Sequence, residues 1–202
     1  MAQVKSLDAQ LESTWNDRYE KNNDIPHACQ LLQEFSHLLL PKHTALDLAS
    51  GLGGNALLLA KSGLTTTAWD LSSVGIKKLK SLASQQSLDI HAQVRNIIEA
   101  PPLENSFDVI VVSYFLERSL FPALLAALKP SGLLFYETFV RDKPAGVGPA
   151  NPAYLLEQNE LLQLCDGLVI RAYREEGMLG DVTKGCRNVA MLVGQKRPNE
   201  ER

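Results

Sequence analysis

Apolar residues recur at helical spacing early in the chain, then fall into short unbroken runs from residue 44 onward. Leu31, Leu32, Phe35, Leu38 and Leu39 share one helical face, and Pro41 closes that helix. The first 40 residues hold no strand-like run, so 1–41 reads as a helical cap. TALDLA at 44–49 is a short apolar strand, and GNALLLAKSG at 54–63 is a helix with Gly63 as its C-terminal cap. LTTTAWD at 64–70 is a second strand, rich in β-branched Thr. A helix over 72–86 follows, with Ser72 or Ser73 as N-cap. LDIHAQV at 88–94 is a third strand. FDVIVVS at 107–113 is nearly all apolar, as a parallel strand buried on both faces requires.

A helix is predicted over 120–128, with Pro122 in its first turn, and Lys129, Pro130, Ser131 and Gly132 stop it. LLFYETF at 133–139 is the fifth strand. Residues 141–152 are a Pro/Gly-rich loop, 157–165 a helix, and 198–202 a frayed end. LVIRAYREE at 168–176 and NVAMLVGQK at 188–196 are strands on a short connection, the signature of an antiparallel pair. Strands alternating with helices imply right-handed crossovers and a parallel sheet. The predicted class is therefore α/β, with a seven-stranded mixed sheet and helices on both faces. The sheet is mostly parallel with an antiparallel strand at the C-terminal edge. One domain covers 1–202, its core spanning 42–197.

Composition narrows the partners. Hydrophobic residues at 45% and charged residues at 21% suit a chain with a real core. A net charge of -3 gives no nucleic-acid footprint, and Lys77, Lys78 and Lys80 read as the solvated side of a helix. Cys29, Cys165 and Cys186 lack zinc-ligand spacing and read as reduced thiols, so no metal is expected. The N-terminus is charged where a signal peptide is apolar, and no run is long enough to span a bilayer. The expectation is a cytoplasmic protein without membrane or nucleic-acid partners, monomer or homodimer.

The sharpest chemical feature is DLASGLGGNA at 47–56, between a strand and a helix. Gly51 and Gly53 permit a tight turn and a close ligand approach. Gly51, Gly53 and Ala56 also satisfy the spacing of a dinucleotide fingerprint. Asp70, 19 residues past Gly51, is placed to hold ribose hydroxyls of either cofactor class. Asp47 beside the loop repels a pyrophosphate and attracts the ammonium and sulfonium of S-adenosylmethionine. The plainer alternative is that Asp47 caps a backbone turn.

ALDLASGLGGNA resembles the first motif of class I S-adenosylmethionine-dependent methyltransferases, D-x-G-x-G-x-G, with Ala49 where Gly is usual. TTTAWDLSSVGI resembles their second motif, and RNIIEAPPLENSFDVIVVS their third and fourth. LKPSGLLFYET resembles the turn before their fifth strand. WNDRY and TAWD resemble the tellurite-resistance and thiopurine-type members, which act on small, soft acceptors. The resemblance implies a Rossmann-like fold. It implies S-adenosylmethionine as cofactor and S-adenosylhomocysteine as product. It places Asp47, Ala49, Ser50, Gly51, Gly53, Asn55, Asp70, Leu71, Asn96, Ile97 and Ser113 at the cofactor. Asn96 replaces the usual Asp and still offers a carbonyl to an adenine amino group. Alanine favours ordinary dihedrals, so Ala49 is expected outside the left-handed region.

Methyl transfer from a sulfonium needs alignment and exclusion of water more than it needs a strong base. Tyr114 and Phe115 are the expected aromatic wall of the transfer site, and Arg18 part of a lid over it. Each has a plainer reading: Arg18 as a helix-surface ion pair, Tyr114 and Phe115 as packing. Glu117 reads as a helix-start residue with a second use as base. His27 reads as a surface loop residue, and Arg118 and Arg141 as attractors of an anionic acceptor. The expected function is methyl transfer to a small-molecule acceptor, with a soft chalcogen or thiol as nucleophile. The alternatives are a nicotinamide-dependent oxidoreductase and a catalytically silent binding protein of this fold.

Overall fold

A computed structural model describes residues 2–199, so the expected fraying at 200–202 lies outside the described residues. Seven strands form one sheet in the order β3-β2-β1-β4-β5-β7-β6. They are β1 (Thr44–Leu48), β2 (Thr65–Asp70), β3 (Ile90–Val94), β4 (Phe107–Ser113), β5 (Leu128–Phe139), β6 (Leu168–Glu175) and β7 (Val189–Lys196). The helices are α1 (Ala2–Lys21), α2 (Gln30–Glu34), α3 (Gly54–Lys61), α4 (Ser73–Gln85), α5 (Phe121–Ala127) and α6 (Glu160–Leu164). β1 to β5 run parallel, and β7 is antiparallel to both neighbours.

Period-two alternation in β4 sorts the core into two layers. Ile110 and Val112 face Phe121 and Leu124 of α5 and Leu161 of α6. Val109 and Val111 face Leu31 and Leu32 of α2 and Leu59 of α3. α3 and α4 close the β2–β3 side through Ala56, Leu57, Ile76 and Leu79. Helices thus cover both faces, as the βαβ pattern requires. The antiparallel pair closes the expected edge, with β7 one place in and β6 outermost. Burial explains the choice: six of the residues in VAMLVGQK are buried, whereas β6 is half-exposed and tolerates an open edge.

Three boundaries differ from the sequence expectation. The helix expected through 31–39 breaks at Phe35 into α2 and a 3-10 turn, and 22–29 is non-helical. α6 begins at Glu160 instead of 157, because Asn159 takes a left-handed φ of 60°. The stop at 129–132 is not a gap before β5 but a bulge inside it. Leu128 pairs with Phe107, pairing resumes at Leu133 with Val109, and Ser131 takes a φ of 64°. Lys129 anchors that bulge, its Nζ donating to Asp108 Oδ2 at 2.9 Å and Thr44 Oγ1 at 3.0 Å.

The Asp108 cluster predicts a pH effect. Burial alone would raise this carboxyl, but hydrogen bonds from Lys129 and Thr44 outweigh it and hold the group at about 2. A depressed folded value adds stability above the unfolded value near 3.9, lost as pH falls through about 2. Urea titrations between pH 5 and pH 2 should show Asp108→Asn losing less stability on acidification than wild type, by about 1 kcal/mol once solvent screening of this ion pair is allowed for. Parallel curves would remove Asp108 from the acid response.

Candidate functional site

The strand order reverses between β1 and β4, and this switch point is where an open α/β sheet holds its ligand. The glycine loop leaves β1 there. Ser50 N–H donates to the Trp69 carbonyl at 3.0 Å, and Gly53 N–H donates to the Ser50 carbonyl at 2.8 Å. Gly51 and Gly53 take φ of 55° and 84°, the left-handed region for which glycine is suited. Ala49 also takes a positive φ, 56°. The expectation of ordinary dihedrals there is corrected: the loop keeps its bend although the usual glycine is an alanine, so strain is retained instead of geometry lost.

Asp70 locks the loop to the end of β2. Its Oδ2 accepts from Gly51 N at 2.7 Å and its Oδ1 from Ser72 N at 2.8 Å. Burial raises this carboxyl, and those two backbone donors pull it back. Leu71 follows, half-buried, on the same rim. Asn96 follows β3, and its side-chain carbonyl accepts from Ile98 N at 3.1 Å. Ser50 Oγ is buried in the loop without a hydrogen-bond partner.

Asp47 does not face the loop as an open charge. It is fully buried, its Oδ2 accepting from Ala56 N at 3.0 Å and its Oδ1 from Asn55 Nδ2 at 3.3 Å. It therefore plays the turn-capping role at the start of α3. Burial pushes its carboxyl up to about 7, against the pull of Asn55 and Ala56. Asn55 is the hub of this region: its Nδ2 also donates to Ser113 Oγ at 2.8 Å, and its Oδ1 accepts from Cys29 N at 2.9 Å. Ile97, expected at the cofactor, is buried among Trp69 and Phe107 in the core.

The N-terminal helix covers the loop. A Cβ on Gly51 would sit 2.8 Å from Tyr19 Oη, and one on Gly54 would collide with the His27 carbonyl in the segment after α1. Asn16 Oδ1 accepts from Ser72 Oγ and Val74 N. Lys78 Nζ donates to the Tyr19 and Asn22 carbonyls at 2.7 and 2.8 Å. Lys78 is thus a cap for α1 and not part of a solvated stripe. Arg18 lies over the Trp15 ring, 5.1 Å from its centroid, and Trp15 stacks on Tyr19. Tyr19 and Asn16 were passed over in the sequence. Their signal was WNDRY, a polar and aromatic patch too short to assign sides.

Beyond β4, Tyr114 is half-exposed at a φ of 55°, with Phe115 partly buried against the core. The Tyr114 hydroxyl donates to Glu137 Oε1 at 2.7 Å, and its ring packs on Phe139. Glu137 Oε2 accepts from Leu31 N at 2.8 Å. Glu117 caps the turn at Ser119, as a helix-start residue does. Arg118 and Arg141 are engaged by Glu160 at 2.6 Å and Glu157 at 2.8 Å, so neither offers a free charge to an anion. His27 is exposed. A groove of about 750 Å³ lies at the opposite end of the strands against His43, Pro130 and Arg171, away from all these residues.

Two variants test this geometry. Ala49→Gly removes about 1–2 kcal/mol of left-handed strain and returns about 0.4–1 kcal/mol of chain entropy to the unfolded state. Its melting temperature should rise by about 1–3 °C; a fall would place the loop outside the left-handed region. An acid with a raised folded value loses stability as pH rises from its ordinary value through about 7. The melting temperature of Asp47→Asn relative to wild type should therefore improve from pH 4 to pH 8, and a constant difference would contradict the burial of this carboxylate.

Comparison with known proteins agrees with this geometry. No curated protein matches the chain. TehB from Haemophilus influenzae has a similar structure, with a TM-score of 0.72 and 19% identity over 91% of this chain and 67% of that one. A structure described by the conversion of a disulfide bond into a thioacetal group during echinomycin biosynthesis gives 0.71 and 17%, covering 94% of both chains. A SAM-dependent methyltransferase from Aquifex aeolicus gives 0.63 and 15%, over 82% of this chain and 89% of that one. These likenesses establish the fold. The family model described as tellurite resistance protein TehB matches residues 11–181, and the chain belongs to that family.

Proposed function

We propose that this protein is an S-adenosylmethionine-dependent methyltransferase whose acceptor is a small molecule with a soft nucleophile, a thiol or another chalcogen. One observation carries the reading. At the switch point, Asp70 is tied to Gly51 N at 2.7 Å beside Ser50 Oγ, a buried polar atom left without a partner. That cradle fits an adenosine cofactor: Asp70 for ribose hydroxyls, Leu71 and Asn96 along the base, Ser50 and Gly51 for polar groups at the other end. Bound there, S-adenosylmethionine supplies an activated methyl group. Family membership favours this cofactor over the nicotinamide dinucleotide that the glycine spacing also admits.

The chain's own groups then do three things. Asp47 and Asn55 fix the start of α3 and the end of β4 relative to the loop, which sets the alignment on which displacement depends. α1, pinned through Asn16 and Lys78, covers the loop and excludes water. Tyr114 and Phe115 wall the acceptor side, where an aromatic face favours a cationic centre. The soft acceptor is supported by the family's association with tellurite and by the sulfur chemistry of the echinomycin structure. No helix among the described residues is long and apolar enough to cross a membrane.

Calorimetric titration tests the seat. Wild type should bind S-adenosylmethionine and S-adenosylhomocysteine. Asp70→Ala should weaken both at least tenfold, about 1.4 kcal/mol or more. Gly51→Val, strained at φ 55° and pressed against Tyr19, should weaken them about a hundredfold. Wild-type affinity in both variants would refute the seat, and no binding by wild type would refute the cofactor.

A further inference from the structure

Glu137 is a buried carboxylate that the cofactor seat does not use. It is 1% exposed at the C-terminal end of β5, and none of the ion pairs among the described residues includes it. Burying a carboxyl group without an ion-pair partner is costly, and its hydrogen bonds offset only part of that cost. One oxygen has a structural task, accepting from Leu31 N at the first turn of α2. The other accepts from Tyr114 Oη at 2.7 Å. Tyr114 carries a second cost, because a half-exposed tyrosine at φ 55° is strained. Backbone strain and a buried carboxyl group meet at this one hydrogen bond, the kind of local cost that clusters at functional sites.

The bond lies at the end of β4, on the side where the reading above puts the acceptor. Ser113, the last residue of β4, is held by Asn55 Nδ2, and Tyr114 is the next residue. We propose that Tyr114 and Glu137 form a proton relay that takes the S–H proton of a thiol acceptor. The relay rests on the methyl-transfer reading above. Tyr114 already gives its proton to Glu137, so its hydroxyl oxygen meets an incoming S–H as an acceptor. As the acceptor sulfur takes the methyl group, its proton passes to Tyr114 Oη and Tyr114's own proton passes to Glu137 Oε1. The S–H bonding pair becomes the new S–C bond. The pair of the broken C–S bond stays on S-adenosylhomocysteine, and nothing is oxidised or reduced. Glu137 returns its proton to solvent after product release. Tyr114 touches the acceptor; Glu137 acts only through Tyr114.

The other titratable groups facing Glu137 are Cys29, at the start of α2, and Cys186, before β7. Burial first, then Glu137, pushes the Cys29 thiol up to about 12, and burial raises Cys186 as well. Both are neutral thiols near pH 7 and do not compete for the proton. The relay serves acceptors near the ordinary thiol value of about 8.5, which are mostly protonated at pH 7.

Two thiols separate a relay from a structural role: benzyl mercaptan, protonated at pH 7, and 4-nitrothiophenol, already ionised. With S-adenosylmethionine, Tyr114→Phe and Glu137→Gln should each lower kcat for benzyl mercaptan about a hundredfold. The loss on 4-nitrothiophenol should be at least tenfold smaller. Equal losses on both thiols would overturn the relay. A readout without turnover accompanies this. Ultraviolet titration of the cofactor-free protein should show one tyrosine moving to lower pH in Glu137→Gln, and no such shift when Tyr114→Phe is added. An unmoved titration would equally overturn it. If Glu137→Gln fails to fold, the two-thiol comparison in Tyr114→Phe decides alone. If wild type methylates neither thiol yet binds the cofactor, the thiol acceptor and the relay fall while the cofactor reading stands.

Discussion

The site depends on the side chain of Asn55, a small amide buried at the first turn of α3. Its two ends reach three stretches of chain: Asp47 at the end of β1, Ser113 at the end of β4, and Cys29 in the N-terminal segment. No hydrophobic contact fixes such a junction in register, because apolar surfaces slide at little cost while hydrogen bonds do not. The amide thus converts a sheet with a topological gap between β1 and β4 into a gap with a defined floor. The glycine loop, Asp70 at the end of β2 and Tyr114 after β4 all take their positions relative to that floor.

Around it the molecule carries groups that stability alone would not select. Asp47 is buried as an acid and pushed up to about 7. Ala49 and Tyr114 sit in backbone conformations natural to glycine. Ser50 Oγ lacks a partner. Each is a local cost of roughly 1–3 kcal/mol, and all lie on the loop or at the ends of β1 and β4. Glu137 at the end of β5 adds a buried carboxylate to the same rim, while most of the sheet alternates apolar residues buried on two faces. The contrast between a relaxed core and a strained rim is what a binding site built on a rigid scaffold requires.

Much of this was legible in the sequence, for identifiable reasons. The apolar runs of β1, β4 and β7 have no polar alternative, so the sheet and its helices followed from periodicity. The glycine loop was legible because a tight turn demands glycine, and Asp70 closes on it through Gly51 N and Ser72 N. Asp47 was misread in its role, since a sequence shows a charge but not whether it faces a ligand or a helix start. Ala49 departs from the dihedrals alanine prefers because the loop's backbone hydrogen bonds impose a left-handed φ on it. Glu137 is the one charged residue in the apolar run LLFYETF, and the run contains the clue. A carboxylate inside a run otherwise destined for the core must find partners, and here those are Leu31 and Tyr114, 106 and 23 residues away in sequence.

A crystal structure of the protein with S-adenosylhomocysteine tests the central claim most directly. The account expects the ribose hydroxyls on Asp70, a polar contact to Ser50 Oγ, and the sulfur turned toward Tyr114. A ligand seated elsewhere, such as in the groove beside His43 and Arg171, or one leaving Asp70 without a ribose contact, would contradict it.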